Sequence, residues 1–262
     1  MEKGGKMGQL DGKVAIITGA SRGIGKAVAI KFAREGARIV IAARSVEPPK
    51  SGLSGTILQT FDEIKAFGGE ALSVKTDVLM EEEVQAMAQT ALDAWGTVDI
   101  LVNNAAVAAP GPLAETTAKR WNLVLGVNVL GTFLCTKAVL PTMIKQRSGS
   151  VINTTSVAGA RRTKELTGIA YGTAKAAIEH FTYAAAAELG EHNIAVNCYH
   201  PAQSVASEGW VFNLPADYDK SQLAGPEKMV KAAIFLAQQD AKGVTGCVAS
   251  DEELIQWHGL EG

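Results

Sequence analysis

The sequence predicts a single α/β domain in which a doubly wound parallel sheet of about seven strands carries helices on both faces. Short apolar segments alternate with longer helical ones along the whole chain, which is the pattern of strand–helix–strand units. The short segments are rich in Val, Ile and Ala, as parallel strands buried on both faces are. No Pro/Ser-rich linker and no internal repeat divides residues 1–262. The expected strands span residues 14–17, 38–42, 71–74, 100–102, 150–153, 195–197 and, at one edge, 246–248.

The composition argues against several classes of partner. Apolar residues make up 47% of the chain and the net charge is −2, which gives no electrostatic reason to bind nucleic acid or an anionic membrane. The N-terminal sequence lacks the apolar core of a signal peptide, and no uninterrupted apolar stretch is long enough to cross a bilayer. We therefore expect a soluble, cytoplasmic protein. Cys135, Cys198 and Cys247 are far apart and fit reduced thiols, and no metal site is predicted.

Three segments depart from the regular alternation. We expect residues 1–10 to form a flexible N-terminal tail, and residues 45–55, with two prolines and two glycines, to form a loop after the second strand. Residues 203–226 show no clear period and follow the sixth strand. Because ligands of such sheets bind beyond the carboxyl ends of the strands, residues 203–226 are predicted to cover the substrate. An ordinary surface excursion is the alternative.

A glycine-rich turn follows the first strand and opens the first helix. Residues 18–25 read TGASRGIG, and glycines at such a turn let backbone amides and a helix N-terminus approach a pyrophosphate closely. The GxxxGxG spacing differs from the commoner GxGxxG, and a glycine-rich turn without a ligand is the alternative. The place of the turn, directly after a strand, favours a dinucleotide site formed by Gly19, Ser21, Arg22, Gly23, Ile24 and Gly25.

The end of the second strand predicts which dinucleotide binds. An acidic residue there would accept hydrogen bonds from the ribose of NAD, but the strand leads to Arg44 with no carboxylate. Arg44 and Arg22 are placed to contact a 2′-phosphate, at about 1.5–3 kcal/mol for each charge-assisted contact. Two such contacts would favour NADP over NAD by about a hundredfold or more. Lys50 is either a third cation at this site or a solvated side chain, and we predict NADP(H) as the cofactor.

A tyrosine and a lysine four residues apart, Tyr171 and Lys175, lie in an Ala-rich helical run over residues 171–189. At this spacing the two side chains share one face of the helix, about one turn apart. A phenol has a pKa of roughly 10, and a neighbouring ammonium lowers that pKa by favouring the phenolate. The pair is therefore suited to proton exchange in alcohol–carbonyl chemistry. Considered alone, a packed tyrosine beside a solvated lysine is the alternative.

Together these motifs resemble the short-chain dehydrogenase/reductase family over essentially the whole chain, and the resemblance implies a Rossmann-type fold. The Pro-containing loop followed by GTI at residues 55–57 is similar to a subgroup of hydroxysteroid-dehydrogenase-like proteins and citronellol-type dehydrogenases. The motifs occur in the order that the family has. The ordered set comprises residues 18–25, Asp77-Val78, Asn103-Asn104-Ala105, Asn128, Ser156, Tyr171 with Lys175, and Asn197 with Pro201.

The resemblance implies a role for each residue of the set. Tyr171 would be the general acid/base, and Lys175 would favour its phenolate while binding the nicotinamide ribose. Ser156 would hold the substrate oxygen, and Asn128 would maintain a water-linked proton relay through Lys175. The further cofactor contacts that the resemblance implies are Asp77 at the adenine, in its motif with Val78; Asn104 and Ala105 on the adenosine side; and Pro201, Val205 and Ser207 at the nicotinamide end.

The sequence departs from the family pattern at three places. Ala106 stands where the family usually has glycine. Ser156 and Tyr171 are two residues further apart than usual, which predicts a bulge at the rim of the active site. After Pro201 one inserted residue is needed to align Val205 and Ser207 with the positions that contact the nicotinamide carboxamide.

The extra length between Ser156 and Tyr171 contains a basic cluster, Arg161, Arg162 and Lys164. The cluster either binds a phosphate or carboxylate of the substrate, such as the nucleotide of an acyl-CoA, or forms a solvated loop. Ala- and Leu-rich faces of the helices at 116–145 and 171–189 pair across subunits in this family, so we expect a homodimer or homotetramer.

The sequence thus predicts an NADP(H)-dependent oxidoreductase that interconverts a hydrophobic alcohol with its ketone or aldehyde by hydride transfer, with Tyr171 exchanging the proton. The alternatives are a 3-oxoacyl-thioester reductase of the same family, a non-catalytic NADPH-binding regulator, and a sugar-nucleotide epimerase or dehydratase. The substrate pocket is expected to be apolar. It would be formed by residues 107–116, 157–170 and 203–226, with Leu166, Trp210, Phe212 and Leu214 among its side chains.

Overall fold

The strands form one parallel sheet. The computed structural model describes residues 8–48, 52–160, 167–215 and 217–260. The strand order is β3-β2-β1-β4-β5-β6-β7, and every neighbouring pair is parallel, which confirms the predicted fold class. The strands are β1 (Val14–Thr18), β2 (Arg38–Ala43), β3 (Ala71–Lys75), β4 (Ile100–Asn103), β5 (Gly149–Thr154), β6 (Ile194–His200) and β7 (Val248–Ser250).

Helices connect successive strands. Short 3₁₀ turns at Leu113–Glu115, Gly190–His192 and Lys220–Gln222 complete the connections. The α-helices of the described residues are α1 (Gly23–Arg34), α2 (Ile57–Ala66), α3 (Glu81–Trp95), α4 (Ala118–Leu125), α5 (Gly131–Gln146), α6 (Val157–Ala160), α7 (Ile169–Leu189), α8 (Glu208–Asn213), α9 (Glu227–Ala237) and α10 (Asp251–Trp257).

The helices cover both faces of the sheet. On one face Ala15 and Ile17 of β1 join a buried cluster with residues of α1, α2, α9 and α10. On the other face Val14 and Ile16 join a cluster with residues of α3, α5 and α7. Because successive residues of a strand point to opposite faces, a central strand covered on both sides is apolar at every position. This double burial explains why the strands read as continuous apolar runs.

The direction in which successive strands are added to the sheet reverses at β1. Strands β2 and β3 lie on one side of β1, and β4 to β7 lie on the other. In β1, Thr18 is in register with Ala42 of β2, and Ile17 with Val102 of β4. The segments that follow β1, β2 and β4 therefore leave from the same edge, at the switch point where ligands of such sheets bind. These three segments contain the glycine-rich turn, Arg44 and Asn104.

Both ends of the chain differ in detail from the expectation. Leu10, inside the predicted tail 1–10, is buried, and its amide donates to the carbonyl of Glu35 at 2.9 Å. The tail prediction was therefore wrong at residue 10, because Leu10 packs into the core beside α1; residues 1–7 lie outside the described range. The last strand starts at Val248 rather than residue 246, because Gly246 adopts a left-handed conformation with φ of 69°.

The helix expected over residues 116–145 is interrupted at the position of Asn128. Helix α4 runs into a π-helical turn, Gly126–Leu130, and then into α5. The whole stretch Ala118–Gln146 is long and apolar enough to cross a membrane, and half of its most apolar window is buried in the fold. Core helices of soluble proteins have the same properties, so this stretch alone does not place the chain in a membrane. Single π turns inside α-helices are frequent at functional sites.

Candidate active site

The hydroxyl of Thr18 fixes the crevice at the carboxyl ends of β1 and β4. Thr18 Oγ1 accepts from the backbone amides of Asn104 and Ala105 at 3.0 and 3.1 Å, and donates to the carbonyl of Val102 at 3.3 Å. The Asn104 amide group donates in turn to the carbonyls of Thr18 and Gly19 at 3.1 and 3.3 Å. These bonds place Asn104 and Ala105, two predicted cofactor contacts, directly against the glycine-rich turn.

The glycines of that turn form a cradle that side chains would fill. Gly19 has a φ of 66°, and a Cβ there would lie 2.8 Å from Ala105 Cα. A Cβ on Gly25 would lie 2.7 Å from the carbonyl oxygen of Gly19. Helix α1 starts at Gly23, beside buried Ser21 and half-buried Ile24, and has neither a capping side chain at Arg22 nor an acidic residue in its first turn. The narrow turn and the backbone amides at the helix start fit a pyrophosphate.

Arg22 is largely engaged by the loop after β2. Its Nε donates to the carbonyl of Ser54 at 2.6 Å, and its Nη2 donates to the carbonyl of Gly55 at 2.7 Å and to Ser45 Oγ at 3.2 Å. A Cβ on Gly55 would lie 2.7 Å from Arg22 Cβ, so glycine at 55 permits this contact. Partial burial lowers the pKa of Arg22 and the nearby charge of Arg44 adds to this, although the carboxylate of Glu208 opposes both.

Arg44 and Asp77 lie together just past the ends of β2 and β3. Arg44 Nη1 is 3.9 Å from Asp77 Oδ2, and 56% of the arginine side chain is exposed. Asp77 Oδ1 accepts from the amide of Leu79 at 3.1 Å, which orders the turn in which Val78 is buried. A half-exposed cation and an ordered carboxylate therefore lie beside the crevice, at the ends of β2 and β3. Lys50, the third predicted cation, lies outside the described residues.

Asn128 occupies the π turn between α4 and α5. It is fully buried, and its Nδ2 donates to the carbonyls of Val107 and Val124 at 2.8 and 2.9 Å. Its Oδ1 has no hydrogen-bond partner among the described residues. The side chain thus ties the segment after β4 to α4. The π turn could not be predicted from the sequence, because its residues continue an ordinary apolar helical pattern.

Lys175 lies buried against Tyr171, one turn away on α7. Its Nζ donates to the carbonyl of Thr154 at 2.7 Å and lies 5.2 Å from the centroid of the Tyr171 ring. Burial lowers the pKa of Lys175 to about 8, with Cys198 and Glu179 acting in the opposite direction. Burial raises the pKa of the Cys198 thiol to about 12, so this thiol is neutral near pH 7. Lys175 is thus a cation at neutral pH beside the tyrosine.

Helix α6, which follows Ser156, packs closely on α7, which carries Tyr171. A Cβ on Gly172 would lie 2.9 Å from the carbonyl oxygen of Ala158, and one on Gly159 would lie 3.0 Å from the amide nitrogen of Ala176. The two helices therefore touch through their backbones. Ser156 Oγ accepts from the amide of Ala158 at 3.3 Å, which places the serine at the start of α6. The two contact glycines were missed from the sequence, although glycine inside a helix is their visible signal.

The segment between Ser156 and Tyr171 is described only in part. Residues 161–166 lie outside the described range, and this gap contains the whole predicted basic cluster and Leu166. Helix α7 resumes after Gly168, whose φ is 83°, and a Cβ there would lie 2.6 Å from the carbonyl oxygen of Ala109. The start of α7 therefore packs directly on the segment that follows β4.

The covering loop, residues 203–226, meets the glycine-rich turn through Ser207 and Glu208. It contains the short helix α8 and a parallel bridge between Val205 and Ala224, although its sequence shows no clear period. Ser207 caps α8 by accepting from the amide of Trp210 at 3.3 Å. A Cβ on Gly23 would lie 2.9 Å from Ser207 Cβ, so the loop and the turn are in contact. Pro201 stands where β6 leads into this loop.

Glu208, the first residue of α8, was not among the predicted site residues. Its Oε2 accepts from the backbone amide of Gly23 at 2.7 Å. A single glutamate in a segment without clear period carries no local signal of such a contact. In the described part of the chain, no group of three or more His, Cys, Asp or Glu residues has the arrangement of a metal site.

The known proteins most similar in sequence include dehydrogenases and reductases. Hydroxysteroid dehydrogenase-like protein 2 of Xenopus laevis is 36% identical over 255 residues, which are 97% of this chain. The chain spans only 60% of the length of that relative. The 3-oxoacyl-[acyl-carrier-protein] reductase of a Synechocystis strain is 38% identical over 195 residues, which cover 74% of this chain and 75% of that protein.

The fold also matches solved structures. A short-chain type dehydrogenase/reductase from Mycobacterium marinum superposes with a TM-score of 0.81 at 31% identity, covering 92% of this chain and 94% of that one. The sequence model described as short chain dehydrogenase matches residues 13–208. This match covers most of the chain and includes the glycine-rich turn, Tyr171 and Lys175, and it confirms the predicted resemblance. The chain therefore belongs to the short-chain dehydrogenase/reductase family.

Proposed function

We propose that this chain is an NADP(H)-dependent oxidoreductase that interconverts a hydrophobic alcohol with its ketone or aldehyde. The family uses nicotinamide cofactors; the preference for NADP(H) and the substrate class are our proposal. The observation that carries it is the buried Lys175 cation, bonded to the Thr154 carbonyl at 2.7 Å and 5.2 Å from the Tyr171 ring. A cation held this close favours the phenolate and makes Tyr171 a proton donor and acceptor.

The other residues divide the remaining tasks. The bound nicotinamide supplies or accepts the hydride. Ser156 holds the substrate oxygen by a hydrogen bond while Tyr171 transfers the proton to or from it. Lys175 keeps the phenol poised and binds the nicotinamide ribose. Asn128 fixes the segment after β4 through the Val107 carbonyl and maintains the path by which Lys175 is re-protonated.

The preference for NADP(H) rests mainly on Arg44. The end of β2 carries no carboxylate to bind a ribose, and the Arg44 side chain is 56% exposed beside Asp77. Arg22 contributes positive charge nearby, but its Nε and Nη2 already donate to the loop after β2. Asp77, Val78, Asn104 and Ala105 would border the adenosine, and the amides of the glycine-rich turn would bind the pyrophosphate. Pro201, Val205 and Ser207 would lie at the nicotinamide end.

An apolar substrate is supported by the covering loop. Phe212 on α8 is 54% exposed, and Leu214 follows it, half-buried. Large exposed apolar side chains on a loop at the ligand edge of a sheet are suited to enclosing an apolar molecule. A 3-oxoacyl-thioester reductase is the second candidate, favoured by the 38% identity to the Synechocystis reductase.

We further propose a homodimer or homotetramer assembled through the helices at 116–145 and 171–189. Leu123, Leu130 and Phe133 of the α4–α5 stretch and Tyr183 of α7 are exposed apolar or aromatic side chains on these helices. Exposed apolar surface on helices of this length is typical of subunit contacts.

The test follows oxidation and reduction of the nicotinamide by absorbance, with NADPH and NADH run in parallel against alcohols, ketones, aldehydes and a 3-oxoacyl thioester. We expect turnover with NADPH that falls by at least about a thousandfold in Tyr171→Phe, since the variant lacks the proton donor. Tyr183→Phe is the matched control, because Tyr183 lies exposed on the same helix. Tight NADPH binding without turnover on any substrate would favour a regulator and overturn the proposal.

A further inference from the structure

A carboxylate of the protein itself occupies the start of helix α1. Glu208 Oε2 accepts from the backbone amide of Gly23 at 2.7 Å, across 185 residues of sequence. Gly23 is the first residue of α1, so its N–H points out of the helix with no partner inside it. The bond is therefore a tertiary contact between the covering loop and the glycine-rich turn.

The place of this contact is where the cofactor phosphates are expected. The positive end of the helix dipole and the first free amides attract an anion, and a phosphate and a carboxylate satisfy the same donors. Helix α1 has no acidic residue in its own first turn and no capping side chain. The only negative charge that the described residues place on the Gly23 amide thus comes from Glu208.

The segment that carries Glu208 is incompletely packed. A cavity of about 250 Å³ separates residues 205–208 from α1 and is lined on the helix side by Gly23, Lys26, Ala27 and Ile30. In α8 the Nε1 atom of Trp210 is buried without a hydrogen-bond partner among the described residues. Buried polar atoms in native proteins are nearly always paired, so this indole indicates that α8 has a better-satisfied arrangement available.

We propose that Glu208 is an internal substitute for a cofactor phosphate, which holds α8 on the glycine-rich turn until the dinucleotide displaces it. The inference rests on the proposed cofactor site. The phosphate and the carboxylate compete for one amide. The apparent affinity for the cofactor is therefore the intrinsic affinity multiplied by the fraction of molecules in which the Glu208–Gly23 bond is open. Release of α8 from the turn then lets Trp210 change its packing, so that its Nε1 atom can find a hydrogen-bond partner.

The test measures NADPH binding and amide hydrogen exchange, both without turnover. Glu208→Gln and Glu208→Ala should each bind NADPH about tenfold more tightly than the unmodified protein, because the competing charge is gone. The matched control is Glu191→Gln, which removes one charge from a residue whose side chain is 76% exposed outside this region. Without nucleotide, Glu208→Ala should also exchange the Gly23 amide faster, whereas NADPH should slow that exchange in every variant.

The outcomes separate this inference from the proposed function. Unchanged or weaker NADPH binding in both Glu208 variants, with normal binding in the unmodified protein, would overturn the substitute role and leave the cofactor site intact. Equal exchange at Gly23 in Glu208→Ala and the unmodified protein would also overturn it. Absence of NADPH and NADH binding in all variants would overturn the proposed function and this inference together. Binding by the Glu208 variants alone would support the inference in its strongest form.

Discussion

The side chains of Arg22 and Arg44 lie in the same region. They differ in how many of their N–H donors already have a hydrogen-bond partner within the protein. Arg22 donates to two carbonyls and one hydroxyl of the loop after β2. Arg44 has one distant carboxylate, Asp77, at 3.9 Å and a side chain that is 56% exposed. A bound phosphate gains most from a cation whose donors are not committed elsewhere. If the cofactor is NADP(H), as proposed, Arg44 is the residue with donors available for its 2′-phosphate, whereas Arg22 holds the loop beside it.

We predict that Arg44→Gln weakens NADPH binding by about ten- to a hundredfold, the loss of one charge-assisted contact of about 1.5–3 kcal/mol. Binding of NADH should change less than about threefold, since it has no 2′-phosphate. Titration of both nucleotides by fluorescence measures the two affinities. Arg38→Gln is the control, because Arg38 lies at the opposite end of the same strand. A parallel loss of NADPH and NADH affinity in Arg44→Gln would contradict the assignment.

The sequence was sufficient to predict the contacts that depend on one local pattern. Three features could be recognised from a few neighbouring residues each: the glycine-rich turn, the end of β2 and the Tyr171–Lys175 spacing. The bond from Gly23 to Glu208 joins residues 185 apart, and nothing near either residue specifies it. The engagement of Arg22 likewise depends on where the fold places Ser45, Ser54 and Gly55 beside the turn. Contacts of this kind are set by the packing of the whole domain.

At the scale of elements, the active site depends on how closely α6 approaches α7. Both helices come into backbone contact at Gly159 and Gly172, where a Cβ would lie within about 3 Å of backbone atoms of the other helix. This contact sets the separation of Ser156, just before α6, from Tyr171 on α7. Most strand positions were predictable because buried parallel strands are apolar throughout, whereas this helix pair was not, because a single glycine within an Ala-rich run has several explanations.

We predict that Gly172→Ala reduces kcat/KM by about a hundredfold, because the added Cβ, 2.9 Å from the Ala158 carbonyl oxygen, must push α6 away and displace Ser156. Cofactor binding should change little. Gly190→Ala is the matched control: it follows the same helix in a helical conformation, and a Cβ there meets nothing within 4 Å. Gly190→Ala should keep full activity. Its free energy of unfolding should equal that of the unmodified protein or exceed it by up to about 1 kcal/mol. Equal activity of Gly172→Ala would show that the helix contact does not set the site.

For the molecule as a whole, the buried side chain of Lys175 is unfavourable to folding. Lys175 is fully buried, and burial lowers its pKa from 10.5 to about 8, with the Glu179 carboxylate only partly opposing this. Between these two pH values the unfolded chain binds a proton at this lysine that the folded protein does not. Stability therefore rises with pH across this window, and the penalty is fully present below pH 8. A residue that is unfavourable to stability at neutral pH is retained in the core, which is typical of groups that act in catalysis.

We predict that the stability of the unmodified protein relative to Lys175→Met increases by about 2–3 kcal/mol between pH 7 and pH 10. The substitution also removes the donor to the Thr154 carbonyl, but this loss is the same at each pH and cancels in the pH dependence. Urea unfolding of both proteins at several pH values measures the difference. Lys137→Met, at a lysine that is 58% exposed on α5, should give a difference that does not vary with pH. A flat profile for Lys175→Met would mean that the lysine ionises in the folded protein as it does in the unfolded chain, and its role as a desolvated cation beside Tyr171 would then be wrong.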